Sequence, residues 1–262
     1  MELDIYQIDA FTNKLFKGNP AAVCVLDEWL EEETMQNIAS ENNLAETAFV
    51  IPQGDNFAIR WFTPTIEVEL CGHATLASAH VLFKYYHYEG DTISFETNVR
   101  GTLKVSRKDD MLTLDFPVDI IQKGDGLTDA EEALGIKPVE VYYGKTDLMA
   151  VYESESDIRQ MNPDFILVEK IPVRGIIATA PGDEVDFVSR FFAPQAGVVE
   201  DAVTGSAHTT LTPFWSERLG KKTLTARQLS RREGDLICTL DGKRVLISGY
   251  ARSYLKGKIV VE

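Results

Sequence analysis

Three short segments of this chain recur in its second half at a nearly constant distance. They are an aromatic stretch ending in proline, a Gly-X-Ala turn and a Gly-X-Leu segment. The offsets between the copies are 130, 133 and 133 residues. The three pairs are Arg60–Pro64 with Arg190–Pro194, Gly72–Ala74 with Gly205–Ala207, and Gly101–Leu103 with Gly234–Leu236. A constant shift at three separate landmarks predicts that the chain arose by internal duplication.

Duplication predicts two similar halves, residues 1–117 and 118–262, with the last strand able to return to the first half. Each half is expected to be α+β, with a mostly antiparallel or mixed sheet wrapped around one central helix. These helices are predicted near 72–87 and 205–219, because the first stretch is apolar on almost every face, as a buried helix is. Two similar halves leave a cleft between them, so the repeated turns are predicted to line one site.

The remaining elements follow from alternating apolar runs between turn-forming residues. Three acidic residues, Glu31 to Glu33, predict the start of a helix over 31–41. A loop is predicted over 194–204. Strands are predicted near 3–9, 20–27, 46–52, 57–63, 92–97, 101–106, 111–116, 165–171, 174–180, 235–240 and 243–249.

Charge and composition exclude several classes of function. The net charge of −15 repels phosphate backbones and anionic lipid, and the single dense basic run, 227–232, is short and followed at once by acids. No apolar stretch is long enough to span a membrane, and the first residues lack the pattern of a signal peptide. Three widely spaced cysteines suit a reducing compartment and show no zinc-ligand spacing. We therefore expect a cytoplasmic protein that binds no metal, nucleic acid or membrane.

The two repeated turns combine glycine with polar side chains at the predicted start of a helix. A helix N-terminus presents unpaired N–H groups, which bind carboxylate or phosphate. Glycine at 72 and 205 lets a ligand approach the backbone closely. His73 follows the first glycine, and Asp201 precedes the second, so each turn carries an ionisable group.

Glu46 stands in an otherwise apolar strand. Burial of an unpaired carboxylic acid is costly, and it raises the pKa of such groups towards the range useful for proton transfer. Glu46 is therefore a candidate general acid/base. A structural carboxylate satisfied by hydrogen bonds is the alternative, and the sequence leaves both open.

Other reactive residue types have plainer interpretations. His80 falls in the middle of the first central helix and is expected to be packed and hydrogen-bonded, whereas His208 flanks the second turn. Cys71 precedes the first turn, where a helix N-terminus lowers a thiol pKa. Because Thr204 occupies the matching position in the second turn, we favour a small apolar filler at Cys71 over a reactive thiol.

Five motifs in this order resemble the PhzF phenazine-biosynthesis family, and together they cover nearly the whole chain. The motifs are Asp9–Thr12, Gly18–Val23, Glu46–Phe49, Gly72–Thr75 and Glu200–Ala207. The resemblance implies a diaminopimelate-epimerase-like fold, a homodimer and an isomerase that needs no cofactor. In the family's phenazine enzyme, a glutamate moves a proton on a dihydro-hydroxyanthranilate.

By motif, the catalytic roles fall on Glu46 as the acid/base, with His73 and Asp201 assisting proton movement or holding the substrate. The substrate-binding positions implied by the resemblance are Asn19, Gly72, Gly205 and Ser206. One departure is Ala202, where the family commonly has proline. Since proline fixes the backbone, its loss is expected to loosen the placement of Asp201.

Three functions are consistent with these residues. The first is a cofactor-independent isomerase that moves a proton on a small carboxylate held by two helix N-termini. The second is an amino-acid epimerase or racemase, which needs an acid/base on each face of its substrate; this chain offers Cys71 on one side and Thr204 on the other. The third is a binding protein without turnover.

Overall fold

The computed structural model describes residues 1–261, which divide into two compact units. The first unit comprises Met1–Asp115 together with the described residues from Ser248 onward, and the second comprises Phe116–Ile247. The C-terminal segment belongs to the first unit because its strand pairs along its whole length with the first strand of the chain.

Strands and helices are numbered here in chain order. The strands are β1 (Glu2–Ala10), β2 (Asn19–Val25), β3 (Glu46–Gln53), β4 (Asn56–Phe62), β5 (Glu67–Val68), β6 (Thr92–Thr97), β7 (Gly101–Lys108), β8 (Met111–Pro117), β9 (Gln122–Lys123), β10 (Glu140–Tyr143), β11 (Asp147–Val151), β12 (Gly175–Pro181), β13 (Phe187–Ala193), β14 (Val198–Asp201), β15 (Thr223–Gln228), β16 (Gly234–Asp241), β17 (Arg244–Gly249) and β18 (Ala251–Val260). The α-helices are α1 (Glu32–Asn42), α2 (Gly72–Tyr85), α3 (Leu127–Leu134), α4 (Glu155–Gln160), α5 (Phe165–Lys170) and α6 (Gly205–Leu219).

The first unit contains a mixed sheet. Its strands follow the order β18-β1-β2-β3-β4-β6-β7-β8. The pairs β2/β3 and β4/β6 are parallel, and the others are antiparallel. The parallel β2/β3 pair sets Glu46, the first residue of β3, beside Ala21 of β2. This register fixes the position of Glu46, the predicted acid/base, in the sheet.

Helix α2 is the central helix of the first unit. It packs against β1, β2, β3, β7 and β18, and ten of its residues are buried. Polar residues inside such a helix need internal partners. Thr75 and Ser78 have them, because each hydroxyl donates to the carbonyl one turn earlier, on Cys71 and Ala74 respectively. The predicted buried helix is confirmed, and it ends at Tyr85.

The second unit also contains a mixed sheet. Its strands follow the order β9-β10-β11-β12-β13-β15-β16, with β11/β12 and β13/β15 parallel and the others antiparallel. Helix α6 packs against β15 and β16. Its Trp215 stacks on Phe187 at a ring separation of 5.9 Å and donates its indole N–H to the Thr179 hydroxyl at 3.0 Å.

Helix α6 continues through a proline. Pro213 has no N–H to donate to the carbonyl of Thr209, four residues earlier. The Asp119 amide donates to that carbonyl instead, at 3.2 Å. The carboxylate of Asp119 also accepts from the Thr210 hydroxyl at 2.9 Å. The backbone of the segment before β9 thus supplies the hydrogen bond that proline removes.

One predicted strand is wrong. Residues 165–171 were expected to be extended because they are mostly apolar, and Phe165–Lys170 forms helix α5. Asp164 determines the difference, since its carboxylate accepts from the amides of Ile166 and Leu167 and so caps the helix. The apolar run was too short for periodicity to separate a strand from a buried helix.

The loop predicted over 194–204 is partly ordered. Residues Pro194–Ala196 form a single 3-10 turn, and Val198–Asp201 form β14, which pairs with β13. Gly197, at φ 80°, separates the two. Asp201 therefore stands at the end of a strand rather than within a free loop.

Within residues 1–261, no helix combines the length and apolar character required to cross a membrane.

Candidate active site

The first unit brings Glu46 and His73 into contact. Glu46 starts β3, and His73 is the second residue of α2. The Glu46 Oε2 and His73 Nε2 atoms are 3.1 Å apart, and their side chains are only 15% and 5% exposed. Both atoms are shielded from solvent, yet their approach lacks the alignment of a hydrogen bond. A carboxylate and an imidazole held in this way can exchange a proton with a third group.

The other edge of the imidazole faces Asn19 and Cys71. The His73 Nδ1 atom lies 3.1 Å from the Asn19 Nδ2 atom and 3.5 Å from the Cys71 sulfur. When Asn19 donates to Nδ1, the neutral ring carries its hydrogen on Nε2, towards Glu46. When the ring is doubly protonated, Asn19 must turn its amide so that the oxygen accepts. Asn19 is thus able to serve both charge states of His73.

Burial alone lowers the pKa of His73, but Cys71 and Glu46 more than reverse that effect, so its pKa is raised well above the usual value. We attribute the rise to the Glu46 carboxylate. Burial raises the pKa of the Cys71 thiol to about 11, and nearby Glu46 adds to the effect. Cys71 is therefore uncharged at neutral pH, in keeping with the prediction of a small filler.

Gly18 determines where Asn19 lies. Its φ is +67°, and a Cβ atom built on it would meet the Ala10 carbonyl oxygen at 2.1 Å. Asn19 itself is buried at the start of β2. No residue with a side chain fits at position 18 without moving the strand that carries Asn19.

Gly18→Ala is expected to destabilise the fold by more than 2 kcal/mol, since it adds a backbone clash to the cost of the left-handed conformation, itself about 1–2 kcal/mol. Gly54→Ala is the matched control, because Gly54 has φ +61° and no atom within 4 Å of an added Cβ. Urea unfolding measures both. Equal losses in the two variants would contradict the role given to the Ala10 contact.

The first amides of helix α2 lack a side-chain cap. Cys71 is the N-cap residue, and its side chain makes no capping hydrogen bond. The first four N–H groups of a helix have no partner inside the helix. The start of α2, at Gly72 and His73, therefore offers amide donors beside the Glu46–His73 pair.

Glu46, Cys71 and His73 place three metal-ligand atom types within 4.8 Å of one another. Glu46 approaches Nε2 of the imidazole, whereas Cys71 approaches Nδ1. The lone pairs of the two ring nitrogens point in different directions, so one ion in line with either nitrogen could bind only one of the other two groups. We assign no metal to this cluster.

In the second unit, the turn before α6 is held by Gln228. Its side-chain oxygen accepts from the Thr204 amide at 2.8 Å, and its side-chain nitrogen donates to the Asp201 carbonyl at 2.8 Å. The Ser230 hydroxyl donates to the Ala202 carbonyl, also at 2.8 Å. These bonds fix the backbone from Asp201 to Thr204. They constrain the turn at Ala202, where the family commonly has proline, and the effect of Ala202 on Asp201 stays a prediction.

Thr204 turns its hydroxyl away from the helix that it precedes. The hydroxyl donates to the Asp201 carboxylate at 2.6 Å, and Thr204 makes no capping hydrogen bond. The first amides of α6, from Gly205, therefore also lack a side-chain cap. Ser206 follows, and its hydroxyl accepts from Arg174 at 3.0 Å. The sequence did not single out Arg174 or Gln228, since neither lies in a repeated turn.

Two further histidines are neutral: His208 is fully buried, and His80 is partly buried. His208 donates from Nδ1 to the Thr204 carbonyl at 2.8 Å, and His80 contacts the Ser253 hydroxyl at 2.9 Å, as expected for a packed helix residue. Burial lowers the pKa of His208 to about 4. Burial, with help from Lys84, lowers the pKa of His80 to about 4 as well.

His208 predicts a loss of stability in acid. Its pKa is about 4 when folded and near 6.5 when unfolded, so the unfolded chain binds more protons between these values. Stability falls as pH drops from 6.5, by up to about 3 kcal/mol at pH 4. His208→Asn keeps a donor near Nδ1 but does not titrate. Urea unfolding from pH 7 to 4 is expected to show a shallower decline in this variant, and parallel curves would contradict the assignment.

Comparison with known proteins agrees with the motifs. The family model for phenazine biosynthesis-like proteins matches residues 8–258. The chain belongs to this family. It is 50% identical over 259 residues to an uncharacterized isomerase of Pseudomonas aeruginosa, covering 99% of each chain. A crystal structure of a PhzF family protein from Enterococcus faecalis superposes with a TM-score of 0.97 at 46% identity, covering 100% of each chain.

The curated relatives define the class of enzyme, and a distant structure shows how far the fold extends. The chain is an isomerase of the PhzF type. A hydroxyproline epimerase from Agrobacterium vitis matches at a TM-score of 0.61 and 12% identity, covering 98% of this chain and 92% of that one. At that identity the match shows a common fold alone, shared by the phenazine-type and epimerase-type proteins.

Proposed function

We propose that this protein is a cofactor-independent isomerase that moves a proton between atoms of a small carboxylate-bearing substrate. One observation carries the proposal: the buried Glu46 Oε2 and His73 Nε2 atoms lie 3.1 Å apart at the uncapped start of α2. General acid/base catalysis needs a titratable group whose proton can leave and return at little cost. A carboxylate paired with an imidazole has that property, because either group can hold the proton.

Glu46 removes a proton from a carbon activated by its neighbours and returns a proton elsewhere on the substrate. His73 supports the charge that Glu46 gains and loses, and Asn19 serves both protonation states of His73. Amide donors from Gly72 and His73 bind the substrate carboxylate, since a helix N-terminus favours an anion. The resemblance gives Asp201, Gly205 and Ser206 of the second unit a share in substrate binding and proton movement, and we propose that role for them.

A two-base epimerase remains the alternative, and the contact between Cys71 and His73 is the observation that favours it. The Cys71 thiol has a pKa raised to about 11 by burial and by Glu46, which makes it a poor base at neutral pH. Thr204 donates its hydroxyl to Asp201. We therefore favour Glu46 as the acid/base, and Cys71→Ser is the variant that separates the two mechanisms.

The experiment is a binding screen of small aromatic and amino carboxylates, followed by proton NMR of the bound compounds in deuterated water. Wild type, Glu46→Gln and Cys71→Ser are compared. Exchange or rearrangement that requires Glu46 supports the isomerase, whereas exchange at an amino-acid α-carbon that requires Cys71 supports the epimerase. The homodimer and the cytoplasmic location stay predictions, and light scattering in solution tests the first.

A further inference from the structure

Arg174, in the second unit, is held by an ion pair on one side and is exposed to solvent on the other. Arg174 donates from Nε and Nη2 to the two carboxylate oxygens of Asp147, with 2.8 Å for the first contact. Asp147 is buried, and the guanidinium lies over the Phe191 ring at 5.3 Å. The Arg174 side chain is nevertheless 40% exposed. A fork-to-fork pair stacked on an aromatic ring fixes the guanidinium in one orientation.

From this anchored position Arg174 reaches the start of helix α6. Its Nη2 atom also donates to the Ser206 Oγ atom at 3.0 Å. Because that oxygen accepts from Arg174, the Ser206 hydroxyl can donate its own hydrogen only to a different group. Within residues 1–261, the hydrogen bond that the Ser206 side chain makes is the one from Arg174. Ser206 is the second residue of a helix whose N-cap makes no side-chain hydrogen bond.

The positive charge of Arg174 makes the Ser206 hydroxyl a stronger hydrogen-bond donor. Burial opposes ionisation of Arg174, but Asp147, followed by Asp201 and Asp119, raises its pKa. The guanidinium is therefore permanently charged, and a hydroxyl that accepts from a cation becomes a better donor. Asp147 neutralises the charge of Arg174. Arg174 therefore orients the Ser206 hydroxyl without placing an unpaired positive charge at the start of α6.

We propose that Arg174 is a positioning residue for substrate binding: it holds the Ser206 hydroxyl as a hydrogen-bond donor to the substrate carboxylate at the start of α6. This inference rests on the proposed function, which gives Ser206 a place in substrate binding. Arg174 acts through Ser206, and Asp147 acts through Arg174. Arg174 itself lies outside the repeated turns, because it directly precedes β12.

The test uses Arg174→Lys, Ser206→Ala and the double variant. Lysine keeps a charge beside Asp147, but a single ammonium cannot reproduce the fork that spans Asp147 and Ser206. Arg218→Lys is the matched control. Arg218 is 37% exposed, pairs with Glu140 and lies over Phe214 at 4.4 Å, yet it is near the other end of α6. Titration calorimetry measures the binding of anthranilate, and anthranilamide serves as the probe without a carboxylate.

We expect Arg174→Lys and Ser206→Ala each to weaken anthranilate binding about 10-fold, in the range for loss of one charge-assisted hydrogen bond. The double variant is expected to bind no more weakly than Ser206→Ala alone, because Arg174 acts through that hydroxyl. Arg218→Lys is expected to bind as wild type does, and anthranilamide is expected to bind equally to all variants. A merely structural role for Arg174 would not give this dependence on Ser206 or on the carboxylate.

Two results would overturn the role of Arg174 but leave the proposed function standing. They are unchanged anthranilate binding in Arg174→Lys, and losses of affinity that multiply in the double variant. Ser206→Ala leaves the Arg174–Asp147 pair intact, so it tests the hydroxyl even if Arg174→Lys folds poorly. If wild type binds neither anthranilate nor its amide, the carboxylate site of the proposed function is contradicted as well. These outcomes distinguish failure of the Arg174 inference from failure of the proposed function.

Discussion

Glutamine in place of Glu46 is expected to lower turnover by about 10²- to 10⁴-fold, the usual contribution of a general acid/base. The two side chains have nearly the same shape, so the packing of β3 against β2 and β4 is retained. What is lost is the ability to accept a proton at the atom 3.1 Å from His73 Nε2. Substrate disappearance under saturating conditions measures the effect.

Two controls accompany this variant. Thermal unfolding is expected to stay close to that of wild type, and the affinity for a carboxylate ligand is expected to be retained, because the helix amides are untouched. A Glu46→Gln enzyme that is folded and turns over at the wild-type rate would remove Glu46 from the mechanism. A variant that does not fold would instead support the structural carboxylate that the sequence left open.

His73→Asn is expected to lower turnover by about 10²-fold. The variant removes the group that exchanges charge with Glu46, while asparagine can still contact Asn19 from the Nδ1 position. The pKa of His73 is raised by its neighbours in the folded protein, so His73 is expected to contribute to the pH profile of the wild type. The alkaline limb of that profile is expected to change in the variant.

The same variant has a predicted effect on stability with a definite sign. The pKa of His73 is raised in the folded protein above its usual value of 6.5. The stabilisation from the ion pair is therefore fully present below pH 6.5 and is lost as pH rises through the folded value. The difference in unfolding free energy between wild type and His73→Asn should shrink with rising pH. A difference that grows instead would contradict the raised pKa.

The sequence predicted the central helices better than the segments between them. Helix α2 is apolar on nearly every face, and α6 begins at the repeated glycine, so each left a local signal. Helix α5 left none, because a six-residue apolar run fits a strand equally well and only the Asp164 side chain decides the outcome. The duplication itself stays a prediction.

The sequence predicted those site residues whose side-chain chemistry and family motif pointed to the same role. Glu46 and His73 were singled out as an acid in an apolar strand and a histidine at a glycine turn, and the structure brings them together. Arg174 and Gln228 were not singled out, because each is an ordinary residue whose role depends on contacts distant in sequence. The hydrogen bonds from Gln228 and Ser230 to the turn at Ala202 were not predictable for the same reason, since their donors lie far along the chain.

The most direct test of the central claim is incorporation of deuterium into substrate carbon, followed by proton NMR in deuterated water. A dihydro-hydroxyanthranilate is the first compound to use, because the family's phenazine enzyme isomerises it, and carboxylates that bind in the screen follow. We predict exchange or rearrangement with wild type and with Cys71→Ser, and none with Glu46→Gln. Exchange that persists in Glu46→Gln, or that requires Cys71, would contradict proton transfer by Glu46.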